Sequence, residues 1–387
     1  MLPRLRKYTK KNRKLAQEKN LFTPLGFIAL LRDVDYCESC RKTFPQGDSA
    51  LNINDTFHAT NDFIELVAYV AQMVPSFKNA RDLLFKISGI DISVSQIQKI
   101  ALYAGEKVHE KQMEAAEKAY DKPEIAAPFV MEKDKEDCIL YIMTDGSQVN
   151  TRVKDKDGST WKEMKLGMVF TDKDLRTVND HVYIDNKEYT AYFGSVSEFK
   201  KLLFETAARA GYGKIKRVVI IGDGAKWIWN MCEELFPDAV CILDLFHMKE
   251  NIYDYAKALF PNNEKKYTKW AKTVAYYIES DQVKKALKKI NENPLPETAG
   301  KNVVNLTGYI MNNIDRINYL DYKNQGYYVG SGMIESGNKV VVQKRLKQTG
   351  MRWSREGGQR MVALRAKYES NKWEDVRNLI IDEKQAA

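Results

Sequence analysis

Val218-Val-Ile-Ile-Gly-Asp-Gly224 is the stretch of this sequence that decides the fold. Four consecutive β-branched residues are typical of a strand that is buried on both faces of a sheet, and Gly-Asp-Gly ends the strand. A helix is predicted over Lys226–Leu235, and a second apolar run, residues 239–243, ends in Asp244. A strand, a helix and a strand in this order predict two parallel neighbours in an α/β sheet.

Three further strands are predicted upstream of this stretch. The first is the continuous apolar run of residues 138–143, which ends in Thr144-Asp-Gly146, and the next two cover residues 164–170 and His181–Ile184. A helix over residues 197–210 then leads to the strand at Val218. The complete order, βββαβαβ, predicts an α/β sheet domain that begins with residues 135–246.

The segment before the sheet is predicted to form two regions. Residues 1–55 contain a basic tail, followed by short strands and turns around Cys37-Glu-Ser-Cys40. Residues 56–134 are mainly helical, with three helices over 61–74, 80–87 and 93–108 and a charged linker over 111–134. The last two helices have the outline of a DNA-binding helix-turn-helix, although many helical hairpins share that outline.

The segment after the sheet is predicted to be helical. Residues 247–325 are polar and interrupted by prolines, which is typical of a helical insertion. Its aromatic residues, Trp270 and Tyr276 among them, could either stack on unpaired bases or pack between helices. Residues 326–387 are predicted to complete the sheet domain with helices that are broken at Gly357-Gly358.

The net charge of +9 is concentrated in two segments. Residues 1–20 carry eight Lys or Arg and one acid, and residues 339–367 carry nine and one, so the rest of the chain is acidic. Two basic segments on an otherwise acidic chain indicate binding to a polyanion. A solvated tail and an ordinary charged helix are the alternative.

Composition restricts the class of protein further. With 44% hydrophobic residues in a chain of 387, there is enough apolar material to exclude intrinsic disorder over most of the length. The five cysteines are too few and too scattered for a disulfide framework. No apolar run reaches the roughly 18 residues that a membrane span requires. We expect a cytoplasmic protein with no membrane partner.

Two aspartates follow predicted strands in the same way. Asp145 and Asp223 each stand between an apolar run and a glycine. If the strands are parallel neighbours, both carboxylates lie at one edge of the sheet, where they repel each other unless a cation lies between them. Hard oxygen ligands favour Mg²⁺ or Mn²⁺, and Glu335 is the best candidate for a third ligand. The alternative is that both aspartates only form turns or cap helices and that Glu335 faces solvent.

Five motifs make the sequence resemble a known family. They are Thr144-Asp-Gly146, Ile221-Gly-Asp-Gly-Ala-Lys-Trp-Ile-Trp229, Leu243-Asp-Leu-Phe-His247, Gly330-Ser-Gly-Met-Ile-Glu-Ser-Gly-Asn-Lys339 and Arg345-Leu-Lys-Gln-Thr-Gly-Met-Arg-Trp353. With these motifs the chain resembles bacterial insertion-sequence transposases of the DDE class, in particular the ISKra-type family, and more distantly the Mutator-like elements.

The resemblance implies a ribonuclease H-like catalytic domain with a helical insertion. Asp145, Asp223 and Glu335 would be its catalytic triad and would bind two Mg²⁺ or Mn²⁺ ions. The enzyme would cut the DNA ends of a mobile element and join them to target DNA. The pair Asp244-x-x-His247 resembles a motif that positions the scissile DNA, which adds His247 to the catalytic residues. The alternative is that His247 only caps the following helix. Transposases of this class work on paired DNA ends as homodimers or larger assemblies.

Two further sets of residues are candidate binding sites. The basic residues beyond Glu335 are predicted to hold the DNA backbone: Lys344, Arg345, Lys347, Arg352 and Arg355. Cys37 and Cys40 have the spacing of half a zinc knuckle. Because a closed zinc site needs four ligands, a purely structural role for the two cysteines is the alternative.

Two other functions fit the same residues. One is a different ribonuclease H-like DNA endonuclease, such as a resolvase or a repair enzyme. The other is a domesticated transposase that binds DNA without cutting it, and the presence of all three acids argues against that alternative.

Overall fold

The chain folds into two compact units. The structure is a computed structural model that describes residues 12–37, 40–45, 51–121, 137–179, 181–295, 303–330 and 332–381. Unit 1 is built from the described residues before 112 and after 343, and unit 2 from those between these limits. The C-terminal helices therefore belong with the N-terminal segment, whereas the sequence grouped all of residues 326–387 with the sheet domain.

Unit 1 begins with a five-stranded sheet. β1 (Asn12–Thr23) and β2 (Gly26–Cys37) form a long antiparallel hairpin, and β3 (Lys42–Pro45) pairs with β2. The short strands β4 (Ile53–Asn54) and β5 (Ala59–Thr60) complete the order β3-β2-β1-β5-β4.

The prediction of a basic tail over residues 1–20 is wrong from Asn12 onward, because β1 begins there. Leu21 is buried in this strand, and Lys19 is buried beside it in an ion pair with Asp55. Exposed and buried residues alternate around Lys19 and Leu21, as they do along a strand. A count of basic residues does not report this alternation. Residues 1–11 lie outside the described part of the chain, as do residues 46–50 of the predicted turn region.

Three helices follow in unit 1. α1 (Asn61–Met73) is capped by Thr60, and α2 (Phe77–Ser88) is capped by Ser76 at its start and ends at Gly89. Both bounds agree closely with the predicted helices. Gly89 has a φ of 69°, a left-handed conformation that glycine adopts without strain at a helix end.

α3 (Val94–Asp121) is longer than predicted and enters unit 2. The prediction of a linker from residue 111 is therefore wrong as far as Asp121, and residues 122–134 of that linker lie outside the described residues. Ala116 and Ala119 explain the extension, because both are buried in the last turns of the helix. Small apolar residues at helical spacing kept the charged segment helical.

Unit 2 contains a second five-stranded sheet. Its chain order is β6 (Ile139–Asn150), β7 (Trp161–Thr171), β8 (Leu175–Val178), β9 (His181–Ile184), β10 (Glu188–Tyr192), α4 (Val196–Arg209), β11 (Arg217–Gly222), α5 (Lys226–Leu235) and β12 (Val240–Leu243). The sheet has the order β10-β7-β6-β11-β12. β6, β11 and β12 are parallel, and β7 is antiparallel to both of its neighbours.

The prediction that His181–Ile184 is the third strand of this sheet is wrong. That segment is β9, which forms a separate two-stranded hairpin with β8. The third strand is β10, whose Tyr189 and Ala191 are buried, whereas Val182 and Tyr183 of β9 are exposed. The sequence of β10 mixes a charged, a hydroxyl and two aromatic residues, so it lacks the continuous apolar run by which the other buried strands were identified.

The insertion after β12 is helical, as predicted. It consists of α6 (Leu245–Leu259), α7 (Glu264–Glu279), α8 (Val283–Asn291), α9 (Leu306–Asn312) and α10 (Tyr319–Asn324). α11 (Gly332–Gly337) then leads into a π-helical turn, Asn338–Gln343. Trp270 of α7 is buried and stacks on Tyr255 of α6 with ring centroids 5.6 Å apart, so it packs between helices and is not available to bases.

Unit 1 is completed by α12 (Lys344–Leu346), α13 (Arg355–Glu369) and α14 (Trp373–Ile381). The predicted helix break at Gly357-Gly358 is wrong, because both glycines lie in the first turn of α13, where Ser354 accepts a hydrogen bond from the Gly357 amide. The interruption comes earlier, between α12 and α13. Glycine at position 105 of α3 allows α13 to approach closely, since a Cβ there would lie 2.2 Å from the Arg360 carbonyl oxygen.

His109 of α3 is expected to make unit 1 sensitive to acid. Burial and the neighbouring charge of Arg360 lower the pKa of His109. The unfolded chain therefore binds a proton more readily than the folded one, and stability is lost as the pH falls below about 6.5. We expect His109→Gln to lose less stability than the wild type between neutral and mildly acidic pH, measured as the shift in Tm. Equal losses in the two proteins would contradict this assignment, and equal Tm values at alkaline pH are the control.

Candidate active site

Three aspartates lie at the carboxyl edge of the parallel strands in unit 2. Asp145 lies within β6, Asp223 directly follows β11, and Asp244 directly follows β12. Two positions before each aspartate, the strands are in register. Ile221 of β11 pairs with Met143 of β6 on one side and with Ile242 of β12 on the other. The register therefore places the three aspartates at one level, as expected for Asp145 and Asp223. β6 is longer than predicted, so Asp145 is held in the strand itself and not in a turn after it.

Asp244 holds His247 in place. Asp244 is fully buried and caps α6, since its carboxylate accepts hydrogen bonds from the amides of Phe246 (3.1 Å) and His247 (2.8 Å). One carboxylate oxygen also lies 2.5 Å from Nδ1 of the His247 ring. Asp244 is therefore the residue that caps α6. The same carboxylate orients the His247 ring.

The electrostatic surroundings make His247 a cation. Burial by itself lowers the pKa of His247, but the hydrogen bond to Asp244 and the charges of Asp244, Asp223 and Asp145 outweigh burial and raise the pKa to about 9. The ring is therefore protonated at neutral pH. Its interactions with Asp223 and Asp145 place these residues in one electrostatic cluster.

Glu335 of α11 completes the cluster. One nitrogen or oxygen atom each from Asp244, His247 and Glu335 lies within 4.8 Å of the other two, and over the described ranges this is the group of three or more such side chains at that spacing. The predicted triad paired Glu335 with Asp145 and Asp223. In the structure Glu335 groups instead with Asp244 and His247, and among the described residues Asp145 and Asp223, although at the same edge of the sheet as Asp244, are not within metal-sharing distance in that group.

Asn338 is a site residue that sequence reasoning missed. It is 2% exposed, lies in the π-helical turn after α11, and donates a hydrogen bond from Nδ2 to Oδ2 of Asp145. Its Oδ1 atom is buried and accepts no hydrogen bond from the described residues. The signal for it was its position three residues after Glu335, which brings the two residues to neighbouring faces of one helical segment. π-helical turns often occur at functional sites.

The π-helical segment lies close against the sheet because of Gly337. A Cβ at Gly337 would lie 2.8 Å from the Tyr189 ring and 3.4 Å from Leu166, which belong to β10 and β7. The glycine between Glu335 and Asn338 therefore allows this segment to reach Asp145.

The backbone at Asp223 is fixed by the insertion. The hydroxyl of Tyr309 in α9 donates a hydrogen bond of 2.9 Å to the Asp223 carbonyl oxygen, and the Asp223 carboxylate accepts one from the Ala225 amide. Gly224 has a φ of 99°, and a Cβ there would meet Leu243 at 3.0 Å and Tyr309 at 3.2 Å. Only glycine fits this left-handed and crowded position. Tyr309 was not identified from the sequence, since nothing in its local pattern distinguishes it from other helix residues.

Asp145 lies in a buried and negatively charged environment. Burial raises the pKa of Asp145, and the charge of Asp223 raises it further, whereas the Gly146 amide and the Asn338 side chain oppose this. Crowded carboxylates of this kind are relieved by a bound cation. The buried Asn338 Oδ1 adds an oxygen atom without a donor, and such oxygen ligands suit Mg²⁺ or Mn²⁺.

The predicted DNA-binding patch is only partly exposed. Lys344, Lys347, Arg352 and Arg355 are exposed in unit 1. Arg345 is 1% exposed, donates a hydrogen bond to the Ala71 carbonyl oxygen, and packs against the rings of Phe77 and Trp353, with Cζ 4.5 and 5.3 Å from their centroids. The prediction that Arg345 holds DNA is therefore wrong, because its guanidinium is part of the core of unit 1.

The two cysteines of the CxxC motif stand apart from this chemistry. Cys37 ends β2 and Cys40 is exposed, while the two residues between them lie outside the described part of the chain. Within the described residues, neither Cys37 nor Cys40 belongs to a group of three or more ligands at metal-binding distance.

The fold and the site define an α/β protein with an acidic cluster at the carboxyl edge of its parallel strands. The chain belongs to the uncharacterised protein family UPF0236, whose family model matches residues 6–385. A search of curated proteins finds no match to the chain. Among the described helices, none combines the length and apolar character needed to cross a membrane.

Proposed function

We propose that the protein is a metal-dependent DNA transposase of the DDE class. One observation carries the proposal: Asp145, Asp223 and Asp244 lie at one level of one sheet edge, and Glu335 lies beside Asp244 and His247. The strand order supports a ribonuclease H-like assignment. Numbered along the chain, the five strands of the sheet have the order 3-2-1-4-5, and only the second is antiparallel to the others.

Asp145, Asp223 and Glu335 would hold two Mg²⁺ or Mn²⁺ ions, and Asn338 Oδ1 is a further oxygen atom available to them. When bound, the metal supplies charge stabilisation for phosphoryl transfer between DNA strands. Asn338 orients the Asp145 carboxylate through its amide, and Tyr309 fixes the backbone of Asp223. These contacts hold the carboxylates in position before DNA arrives.

His247 would contact the scissile phosphate. Asp244 binds Nδ1 of the ring, which leaves Nε2 as the donor available to a phosphate oxygen. A protonated imidazole at this place would also offset part of the negative charge of the three aspartates when the DNA backbone approaches. In this function Asp244 is a positioning residue and His247 a DNA-contacting one.

The reaction would proceed in two transfers. Attack by water on a phosphodiester at the end of the element breaks the P–O3′ bond and releases a 3′-hydroxyl. Attack by that hydroxyl on a phosphodiester of target DNA forms the new strand joint and releases a 3′-hydroxyl in the target. The partners would be element ends and target DNA, bound by a homodimer or a larger assembly in the cytoplasm.

The test is an assay that separates cutting from joining. The purified full chain is incubated with a labelled duplex that carries the DNA flanking its own coding sequence, together with a supercoiled plasmid. We expect nicking at the element ends and labelled joints in the plasmid with Mg²⁺ or Mn²⁺, and neither product with EDTA. Nicking without joining would replace the proposal by a ribonuclease H-like endonuclease. No metal-dependent product with any of these DNAs would overturn both.

A further inference from the structure

The exposed face of α7 carries a row of lysines that ends in a tyrosine. Lys265, Lys269, Lys272 and Tyr276 are spaced by four, three and four residues, which places them on one face of the helix. All four are exposed, while the opposite face, with Trp270 and Ile278, is buried in the insertion. We call these four residues the lysine stripe.

The lysine stripe lies on an open surface formed by α7 and the turn before it. Asn262, Asn263, Thr268 and Thr273 contribute neutral polar groups to this surface, and Glu264 at the start of the helix contributes an acid. The surface therefore offers hydrogen-bond donors and positive charge along the helix.

The charges of the lysine stripe are not neutralised locally. Lys265, Lys269 and Lys272 form no ion pair with any residue in the described part of the chain. Glu279, at the end of the same helix, pairs instead with Lys249 (2.8 Å) and Lys323 (3.5 Å). Lysines that stabilised the fold through ion pairs would have acidic neighbours on the helix, so these three are available to an anionic partner.

Tyr276 distinguishes the lysine stripe from a general charged surface. Its side chain is 61% exposed, which is unusual for an aromatic ring. The ammonium group of Lys285 in α8 lies 6.0 Å from the centroid of the neighbouring Tyr277 ring, so the positive surface continues past the tyrosines. An open aromatic ring next to a row of cations is the arrangement by which proteins hold unpaired nucleic acid.

We propose that the lysine stripe binds an unpaired DNA strand, with phosphates on Lys265, Lys269 and Lys272 and a base stacked on Tyr276. At about 1.5 Å of rise per residue, the stripe extends about 16 Å, enough for a few nucleotides of one strand. In a duplex the bases are stacked on one another, so an exposed ring gains little from it. The proposal rests on the proposed function for the choice of DNA, but the surface lies outside the carboxylate cluster.

The experiment measures binding without metal, by the fluorescence anisotropy of a labelled oligo(dT) strand and of a duplex of the same length. For the triple variant Lys265→Ala, Lys269→Ala and Lys272→Ala we expect the slope of log K against log salt to fall by about 2, since each phosphate contact contributes about 0.7 on a single strand. For Tyr276→Ala we expect about tenfold weaker binding to the single strand and little change on the duplex.

A matched control removes three other exposed lysines of unit 2: Lys154, Lys156 and Lys216. It changes the net charge equally and is expected to leave most of the salt slope in place. An equal fall in the control would overturn the proposal in favour of general electrostatics, as would equal effects of Tyr276→Ala on single strand and duplex. Tighter binding of oligo(U) than of oligo(dT) would overturn the choice of DNA. Circular dichroism of each variant checks the fold.

This experiment fails separately from the test of the proposed function. Loss of the single-strand preference would leave cutting and joining untouched as evidence for a transposase. Conversely, a protein that binds oligo(dT) through the lysine stripe but forms no metal-dependent product would contradict the proposed transposase activity. The proposal for the lysine stripe would still hold.

Discussion

Asp223→Asn is expected to abolish the metal-dependent nicking and joining of DNA while leaving DNA binding without metal nearly unchanged. The rate should fall roughly 10³-fold or more, because a divalent cation contributes several kcal/mol of charge stabilisation to phosphoryl transfer. Asparagine has the shape of aspartate but lacks the negative charge. Cleavage rates with Mg²⁺ and binding constants in EDTA measure the two expectations separately.

The structure explains why this variant should fold. The Asn side-chain oxygen can still accept the hydrogen bond from the Ala225 amide, and the Tyr309 hydroxyl binds the backbone of residue 223, which the substitution does not alter. Asp238→Asn, an exposed change in the same unit, is the matched control and should cut at the wild-type rate. Wild-type cleavage by Asp223→Asn would sink the assignment of this residue to the metal site.

Arg345 is expected to show the largest effect on stability. Arg345→Ala should lower the free energy of unfolding by about 3 kcal/mol, as large-to-small changes in cores do, because the buried side chain packs against the rings of Phe77 and Trp353. Arg345→Met keeps most of that packing. It also removes the buried Nη1 and Nη2 atoms, which make no hydrogen bond with the described residues. We therefore expect the methionine variant to lie within about 1 kcal/mol of the wild type or above it.

Urea unfolding followed by circular dichroism compares the two variants. A methionine variant as unstable as the alanine variant would show that the polar contacts of the guanidinium, such as its hydrogen bond to Ala71, and not the packing of the side chain, stabilise this core. A comparison of Arg345→Met with Lys347→Met separates packing from DNA binding, since Lys347 carries an exposed charge two residues away. If Arg345→Met weakened DNA binding more than Lys347→Met did, the burial of Arg345 would not describe the protein in solution.

The elements that the sequence predicts best are those with an unambiguous hydrophobic pattern. α5 is predicted at its observed bounds, Lys226–Leu235. β11 is predicted within one residue at each end, because its continuous apolar run is typical only of a buried strand. β10 lacks a continuous apolar run, and its Tyr189 and Ala191 are buried by packing against β7, α4 and the segment at Gly337. Local pattern cannot report contacts of that kind.

The candidate site divides in the same way. Asp145 and Asp223 could be brought together from the sequence because strand ends in a parallel sheet share an edge. Asn338 and Tyr309 could not, because each acts through one contact whose partner lies more than 80 positions away along the chain. Arg345 shows the reverse error, in which a charged residue inside a basic segment is held in the core by two aromatic rings.

The common level of the three aspartates restricts how this chain can change. Each lies two residues beyond a position that is paired across the sheet. Adding or deleting one residue within β6, β11 or β12 would shift one carboxylate by about 3.3 Å along the strand and turn it toward the opposite face of the sheet. The loops between these strands can lengthen without disturbing that alignment. The number of residues in each of these strands is therefore as necessary to the site as the aspartates themselves.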